Sequence, residues 1–123
     1  MENEIKILLV DDEEDFLSLM KSALEIRGFE VVTADNAVLA GIELATNLPD
    51  VILMDIKMAG IDGFQACEAI KRNPLTKDVP IIILSALSHE SDIKKANKIG
   101  VAGYFVKPVD LEDLINKIKE ISA

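Results

Sequence analysis

A chain of 123 residues, half of them hydrophobic, has room for one domain with a core of its own and excludes separate substrate and cofactor domains. The net charge of −9 sets the chain against phosphate backbones and argues against direct nucleic-acid binding, while its single cysteine, Cys67, excludes an intramolecular disulfide and a multi-cysteine zinc site. No basic region precedes an apolar stretch at the amino terminus and no apolar run approaches the ~18 residues of a membrane span, so the expectation is a reducing, cytoplasmic setting with no membrane partner.

The first predicted element is a strand at 5–10, where Ile7-Leu8-Leu9-Val10 runs directly into Asp11 and Asp12. A helix follows on Phe16, Leu17, Met20, Ala23 and Leu24, which recur at helical spacing, and Gly28 sits at the usual stop position. The second strand is expected at 30–34. A second helix at 37–47 carries Leu39, Ile42 and Leu44, with Pro49 just beyond; Gly41 inside it costs about 1 kcal/mol relative to alanine. The third strand, 51–54, ends against Asp55. Asp62 can cap a third helix bearing Phe64, Cys67 and Ile70, which Asn73-Pro74 ends. A fourth strand at 79–84 runs into Ser85, and a fourth helix begins between Ser88 and Ser91 and stops at Gly100. The last strand, 103–106, leads to Lys107-Pro108. The last helix starts after that proline with Asp110, Glu112 and Asp113 in its first turn, where the dipole favours acids, and Leu111, Leu114, Ile115, Ile118 and Ile121 along one side.

Strands one, three and four are almost continuously apolar, the pattern of strands covered on both faces in a parallel sheet. Five strand-helix units therefore predict an α/β fold: an open, doubly wound, five-stranded parallel sheet with helices on both faces. In such sheets the ligand site lies outside the carboxyl ends of the strands. Those ends carry Asp11 and Asp12, Asp55, Ser85 and Lys107. Residues 1–62 also hold 14 acids against 4 bases, a net of −10, whereas 63–123 hold 8 against 9, so carboxylates concentrate in the first half.

A helix cap accounts for one acid, Asp11 or Asp12, but not for three carboxylates converging from two strands. Carboxylates so close repel one another unless a cation joins them. An oxygen-only donor set with room left for water points to Mg2+. Lys107 and Ser85 complete a pocket suited to a phosphoryl group, one offsetting charge and the other donating a hydrogen bond. Neither a Walker-type loop nor a G-x-G-x-x-G follows a strand, which leaves ATP and NAD without a cradle.

At these residues the chain resembles the receiver domain of two-component response regulators, and is similar to the chemotaxis response regulator. The segments at 7–13, 49–63, 79–86 and 100–108 carry the likeness, in family order and spacing, and it makes 1–123 a single receiver domain. The resemblance implies the flavodoxin-like strand order 2-1-3-4-5. It makes Asp55 the acceptor of a phosphoryl group from a sensor histidine kinase or histidine phosphotransfer protein. It makes Asp12 a direct Mg2+ ligand beside Asp55, Asp11 a ligand through water, and Lys57 a ligand through its backbone carbonyl. Ser85 becomes the hydroxyl that reports the phosphate, Lys107 the essential lysine before a usually cis Pro108, and Tyr104 the aromatic switch. The implied function is a phosphorylation-activated switch that promotes only its own phosphorylation and dephosphorylation, is not otherwise an enzyme, and presents the surface of helix four, strand five and helix five to a downstream protein or output domain.

Four positions depart from the family pattern: Ala59 for a proline, which loosens the loop after Asp55, Ala37 for a glycine, and Ala102-Gly103 for an acidic pair. Two other functions compete. A small aspartate-nucleophile phosphatase of the haloacid dehalogenase type would place Asp-x-Asp after the first strand, where this chain has Asp11-Asp12-Glu13 and no cap segment. A degenerate receiver acting only as a binding module would not need Asp11, Asp12, Asp55, Ser85 and Lys107 together. His89 reads as an exposed residue, Cys67 as core, and Met54 and Met58 as packing around Asp55. Lys94, Lys95 and Lys98 read as a solvated face, with pairing to Asp110, Glu112 and Asp113 of a second copy as the alternative.

Overall fold

Continuous β-branched and leucine runs pair most readily with one another, and the computed structural model, which describes residues 4–58 and 61–122, joins them in one parallel sheet. In chain order the elements are β1 (Lys6–Val10), α1 (Glu14–Ile26), β2 (Glu30–Ala34), α2 (Ala37–Thr46), β3 (Val51–Met54), β4 (Lys57–Met58), β5 (Ile61–Asp62), α3 (Gly63–Arg72), β6 (Ile81–Ser85), α4 (Glu90–Ile99), β7 (Gly103–Val106) and α5 (Leu111–Ser122). The five-stranded sheet runs β2-β1-β3-β6-β7, the expected order once the two-residue strands β4 and β5 are set apart.

Alternation along the strands sorts the core into two layers. Leu8, Val10, Ile52, Met54, Ile81 and Ile83 meet Ala40, Phe64, Cys67, Ile70 and Ala96 of α2, α3 and α4. Ile7, Leu9, Val51, Leu53, Ile82 and Leu84 meet Leu17, Leu24, Leu114, Ile115 and Ile118 of α1 and α5. Each fully buried aliphatic side chain of this kind contributes about 1.5–3 kcal/mol, so the central strands form a rigid slab. An ion pair between Arg27 and Glu112 ties the end of α1 to the start of α5.

The helix ends refine the expected bounds. Asp62 accepts the Phe64 N–H at 2.9 Å, as expected of a cap, and Asn36 does the same for Leu39 at 2.9 Å. Asp110 caps α5 rather than sitting in its first turn: its carboxylate accepts the Asp113 N–H at 3.0 Å, and Leu111 is the first helical residue. Gly28 (φ 92°) and Gly100 (φ 101°) take the left-handed conformation that ends α1 and α4. The fourth strand of the sheet begins at Ile81 instead of 79, because Pro80 has no N–H for the ladder, and it extends to include Ser85. The Lys107–Pro108 bond is cis.

Nothing in the sequence reading anticipated the antiparallel pair β4 and β5, in which Lys57 faces Asp62. Ala59, expected to loosen this loop, lies outside the described residues. Just past the pair, Gly63 is in close approach to the backbone after Asp55: its N–H donates to the Ile56 carbonyl at 2.9 Å, and a Cβ there would stand 2.4 Å from Ile56 Cα. Glycine alone lets α3 start here. Among the described residues no helix is long and apolar enough to cross a membrane.

Candidate functional site

Parallel strands bring their carboxyl ends to one edge, and backbone hydrogen bonds carry the alignment beyond the strands. Asp11 N–H donates to Ala34 O at 3.2 Å, Asp55 N–H to Val10 O at 3.0 Å, and Lys107 N–H to Ser85 O at 2.8 Å. The residues that follow β1, β3 and β7 are thereby fixed side by side.

The three carboxylates do converge. One oxygen from each of Asp11, Asp12 and Asp55 lies within 4.8 Å of the others. Asp11 is 1% exposed and Asp55 6%, whereas Asp12 faces solvent. Into this cluster reaches the Lys107 ammonium, 2.7 Å from Asp11 Oδ2 and 3.5 Å from both Asp55 Oδ2 and Glu13 Oε1. The other oxygen of Asp11 accepts the Glu13 N–H at 3.0 Å, so this acid also organises the turn into α1. Asp55 Oδ1 accepts the Lys57 N–H at 3.2 Å.

Burial raises the Asp55 pKa above the ordinary carboxylate range; Asp11 adds to the shift, while Lys107, the Lys57 N–H and the Ser85 hydroxyl oppose it. Burial also pulls on Lys107 in the direction of neutrality. The hydrogen bond and charge of Asp11, with the charges of Asp55 and Glu13, outweigh it and hold the ammonium above its ordinary value. The site is thus a buried surplus of negative charge around one cation.

A second chain of contacts leads away from it. Ser85 is buried, and its hydroxyl accepts the Leu87 N–H at 3.2 Å. The Leu87 carbonyl in turn accepts the Tyr104 hydroxyl at 2.6 Å. Burial, together with the nearby charge of Asp92, raises the Tyr104 pKa and keeps the phenol a donor.

Sequence reasoning missed three participants. Glu13 pairs with Lys107, and its place directly after the acidic pair was an available signal. Phe16 lays its ring 4.0 Å under the Lys107 ammonium, but at helical spacing it reads as ordinary core. Leu87, which the sequence placed two residues beyond Ser85 as a side chain flanking the site, was missed in one role: it joins Ser85 to Tyr104 through its backbone, which side-chain identity cannot reveal. The remaining residues behave as expected. His89 is exposed, Cys67 is fully buried, and Met54 and Met58 are buried. Lys94 makes a local pair with Glu90 at 3.1 Å on the exposed face, whereas Lys95 reaches across to α3, its ammonium 4.6 Å from the ring of the buried Phe64.

A parallel sheet of this order with three acids, a lysine and a serine at its carboxyl edge defines a class, and comparison agrees: residues 7–119 match the response regulator receiver domain, and the chain belongs to that family. It is 41% identical over 119 residues to the nisin biosynthesis regulatory protein NisR of Lactococcus lactis, covering 93% of this chain and 48% of that protein. Its fold superposes on the chemotaxis response regulator CheY4 of Vibrio cholerae with a TM-score of 0.87 and 26% identity, over 97% of this chain and 99% of that one. The Mn(2+)-bound form of response regulator Rcp1 superposes with a TM-score of 0.78 and 25% identity, over 95% and 91%. The chain spans about half or less of the length of the curated relatives it matches.

Proposed function

We propose that this chain is a phosphorylation-activated switch of a two-component system, with Asp55 accepting a phosphoryl group from a phosphohistidine on a sensor histidine kinase or histidine phosphotransfer protein. The observation that carries the reading is the placement of Asp55: a nearly buried carboxylate held by the Lys57 N–H and faced by Lys107, with two further acids within 4.8 Å. An Asp55 oxygen attacks phosphorus as the donor's P–N bond breaks, and the imidazole leaves with the electron pair and takes up a proton. The product is an aspartyl phosphate. Since the group modified is the chain's own, no separate substrate is turned over.

The donor set suits Mg2+. Three clustered carboxylates, with burial raising Asp55, leave negative charge that one lysine does not balance. Asp12, Asp55 and the Lys57 carbonyl would hold the ion, with Asp11 acting through water; the Mn(2+)-bound Rcp1 supports a divalent cation. When bound, the metal supplies charge stabilisation to the phosphoryl oxygens. Lys107 then turns from Asp11 to the new phosphate. Ser85 swings its hydroxyl toward the phosphate and releases the Leu87 N–H, and Tyr104 follows. The surface of α4, β7 and α5 changes and is read by a downstream protein or output domain in the cytoplasm.

Acetyl phosphate tests the assignment. Mass spectrometry should find one phosphoryl group on the native protein in Mg2+, none in chelator, and none on Asp55→Asn. Equal incorporation by the native and Asp55→Asn proteins contradicts it.

A further inference from the structure

We propose that α2 is a self-association face, through which two copies of this chain pair by setting apolar side chains into each other's groove between α2 and the segment after α3. This goes beyond the phosphoryl site and does not depend on it.

Helix α2 departs from the pattern of a surface helix. Its ten residues hold a single charged side chain, Glu43, whereas the ten of α4 hold five. A helix apolar on all sides is ordinarily covered on all sides. Yet Val38, Leu39 and Ile42 are exposed, as are Leu48 at the helix end and Leu75 nearby; these five large side chains are 46–79% exposed.

Gly41 is the second observation. Its φ is not positive, and a Cβ placed on it would meet nothing within 4 Å. Neither its backbone conformation nor packing inside the chain calls for glycine, which only proline undercuts as a helix former. What the missing side chain does is open a groove of about 270 Å³ lined by Gly41, Leu44, Ala45, Ala69, Ile70 and Leu75. The groove admits branched aliphatic side chains, and the same patch presents them.

A second copy is the occupant that fits. The negative charge is concentrated in residues 1–62, so carboxylate-bearing faces of two copies repel, and α2, whose one charge is Glu43, is the helix of that half on which two copies meet with little like-charge contact. The five exposed side chains leave roughly 500 Å² of apolar surface per copy, so a pair buries about 1,000 Å², the lower bound of a specific interface.

Sedimentation equilibrium on the full chain, without metal or phosphoryl donor, tests this, so that failure here leaves the reading of Asp55 standing. Native protein should form dimers as concentration rises toward about 1 mM, a weak association by the scale of interfaces of this size. Ile42→Lys and Ile42→Glu, with native circular dichroism, should each associate at least about tenfold more weakly, since either charge would have to enter an apolar groove. A native protein that stays monomeric to that concentration overturns the proposal and assigns the face to a different partner. A dimer undiminished in Ile42→Lys overturns it by placing self-association elsewhere.

Discussion

Lys107 is the residue on which the site turns. Its ammonium stays charged against its own burial because Asp11, Asp55 and Glu13 surround it, and the Phe16 ring supports it from one side. Removing one partner from a buried pair leaves uncompensated charge, so Lys107→Ala should destabilise the metal-free protein by about 3 kcal/mol in chemical denaturation. The same variant should keep its Mg2+ affinity in titration calorimetry, while Asp12→Ala should lose it; Asp12→Ala binding as tightly as native contradicts the ligand scheme. Cys67 gives a prediction with a definite pH window. Burial, aided by Asp62 and Glu68 against Lys71, pushes its thiol from 9.0 up to about 12. The unfolded chain therefore releases this proton first. Its stabilising effect is whole below pH 9 and declines as pH rises toward 12, by about 1.4 kcal/mol per unit. Denaturant unfolding between pH 9 and 10.5 should accordingly fall less steeply in Cys67→Ala than in native protein, and parallel slopes contradict the assignment.

At the scale of elements, the tightest constraint is the junction of the β4 and β5 pair with α3. A methyl group at Gly63 would lie 2.4 Å from Ile56 Cα and 2.7 Å from the Asp55 carbonyl, so the helix or the backbone at Asp55 and Ile56 has to move. Gly63→Ala should lower stability by about 2–3 kcal/mol and slow phosphoryl acceptance at Asp55 as well, whereas a stability loss with unchanged acceptance places the strain entirely in α3. What the sequence made legible follows from the same physics. Ile81 to Leu84 reads as a strand because both faces are covered, and Asp62 reads as a cap because its carboxylate sits one residue ahead of an apolar helical stripe. The pair β4 and β5 escaped because two-residue strands have no periodicity, and Asp110 was drawn into α5 because a cap and a first-turn acid look alike in sequence.

For the whole molecule, the five carboxyl-edge residues were legible because each polar residue broke an apolar run. The ends of the path leading from them, Ser85 and Tyr104, came from the family resemblance, but the Leu87 backbone that joins them was not legible. Ser85, the Leu87 backbone and the Tyr104 hydroxyl form a line through 3.2 and 2.6 Å contacts that exists only once β6 and β7 lie side by side. With the sheet packed on both faces by the two core layers, the proposed phosphate at Asp55 would act by shifting the balance between two arrangements of this line. A few kcal/mol of charge-assisted contact suffices to enrich a minor form. The switch is tested most directly by NMR of backbone amides with beryllofluoride standing in for the phosphoryl group. Shifts should run from Asp55 through Ser85 and Leu87 to Tyr104 and α4, and Ser85→Ala should abolish the distant ones. Shifts confined to the loops around Asp12 and Asp55, or a response at Tyr104 and α4 that survives Ser85→Ala, would contradict the account.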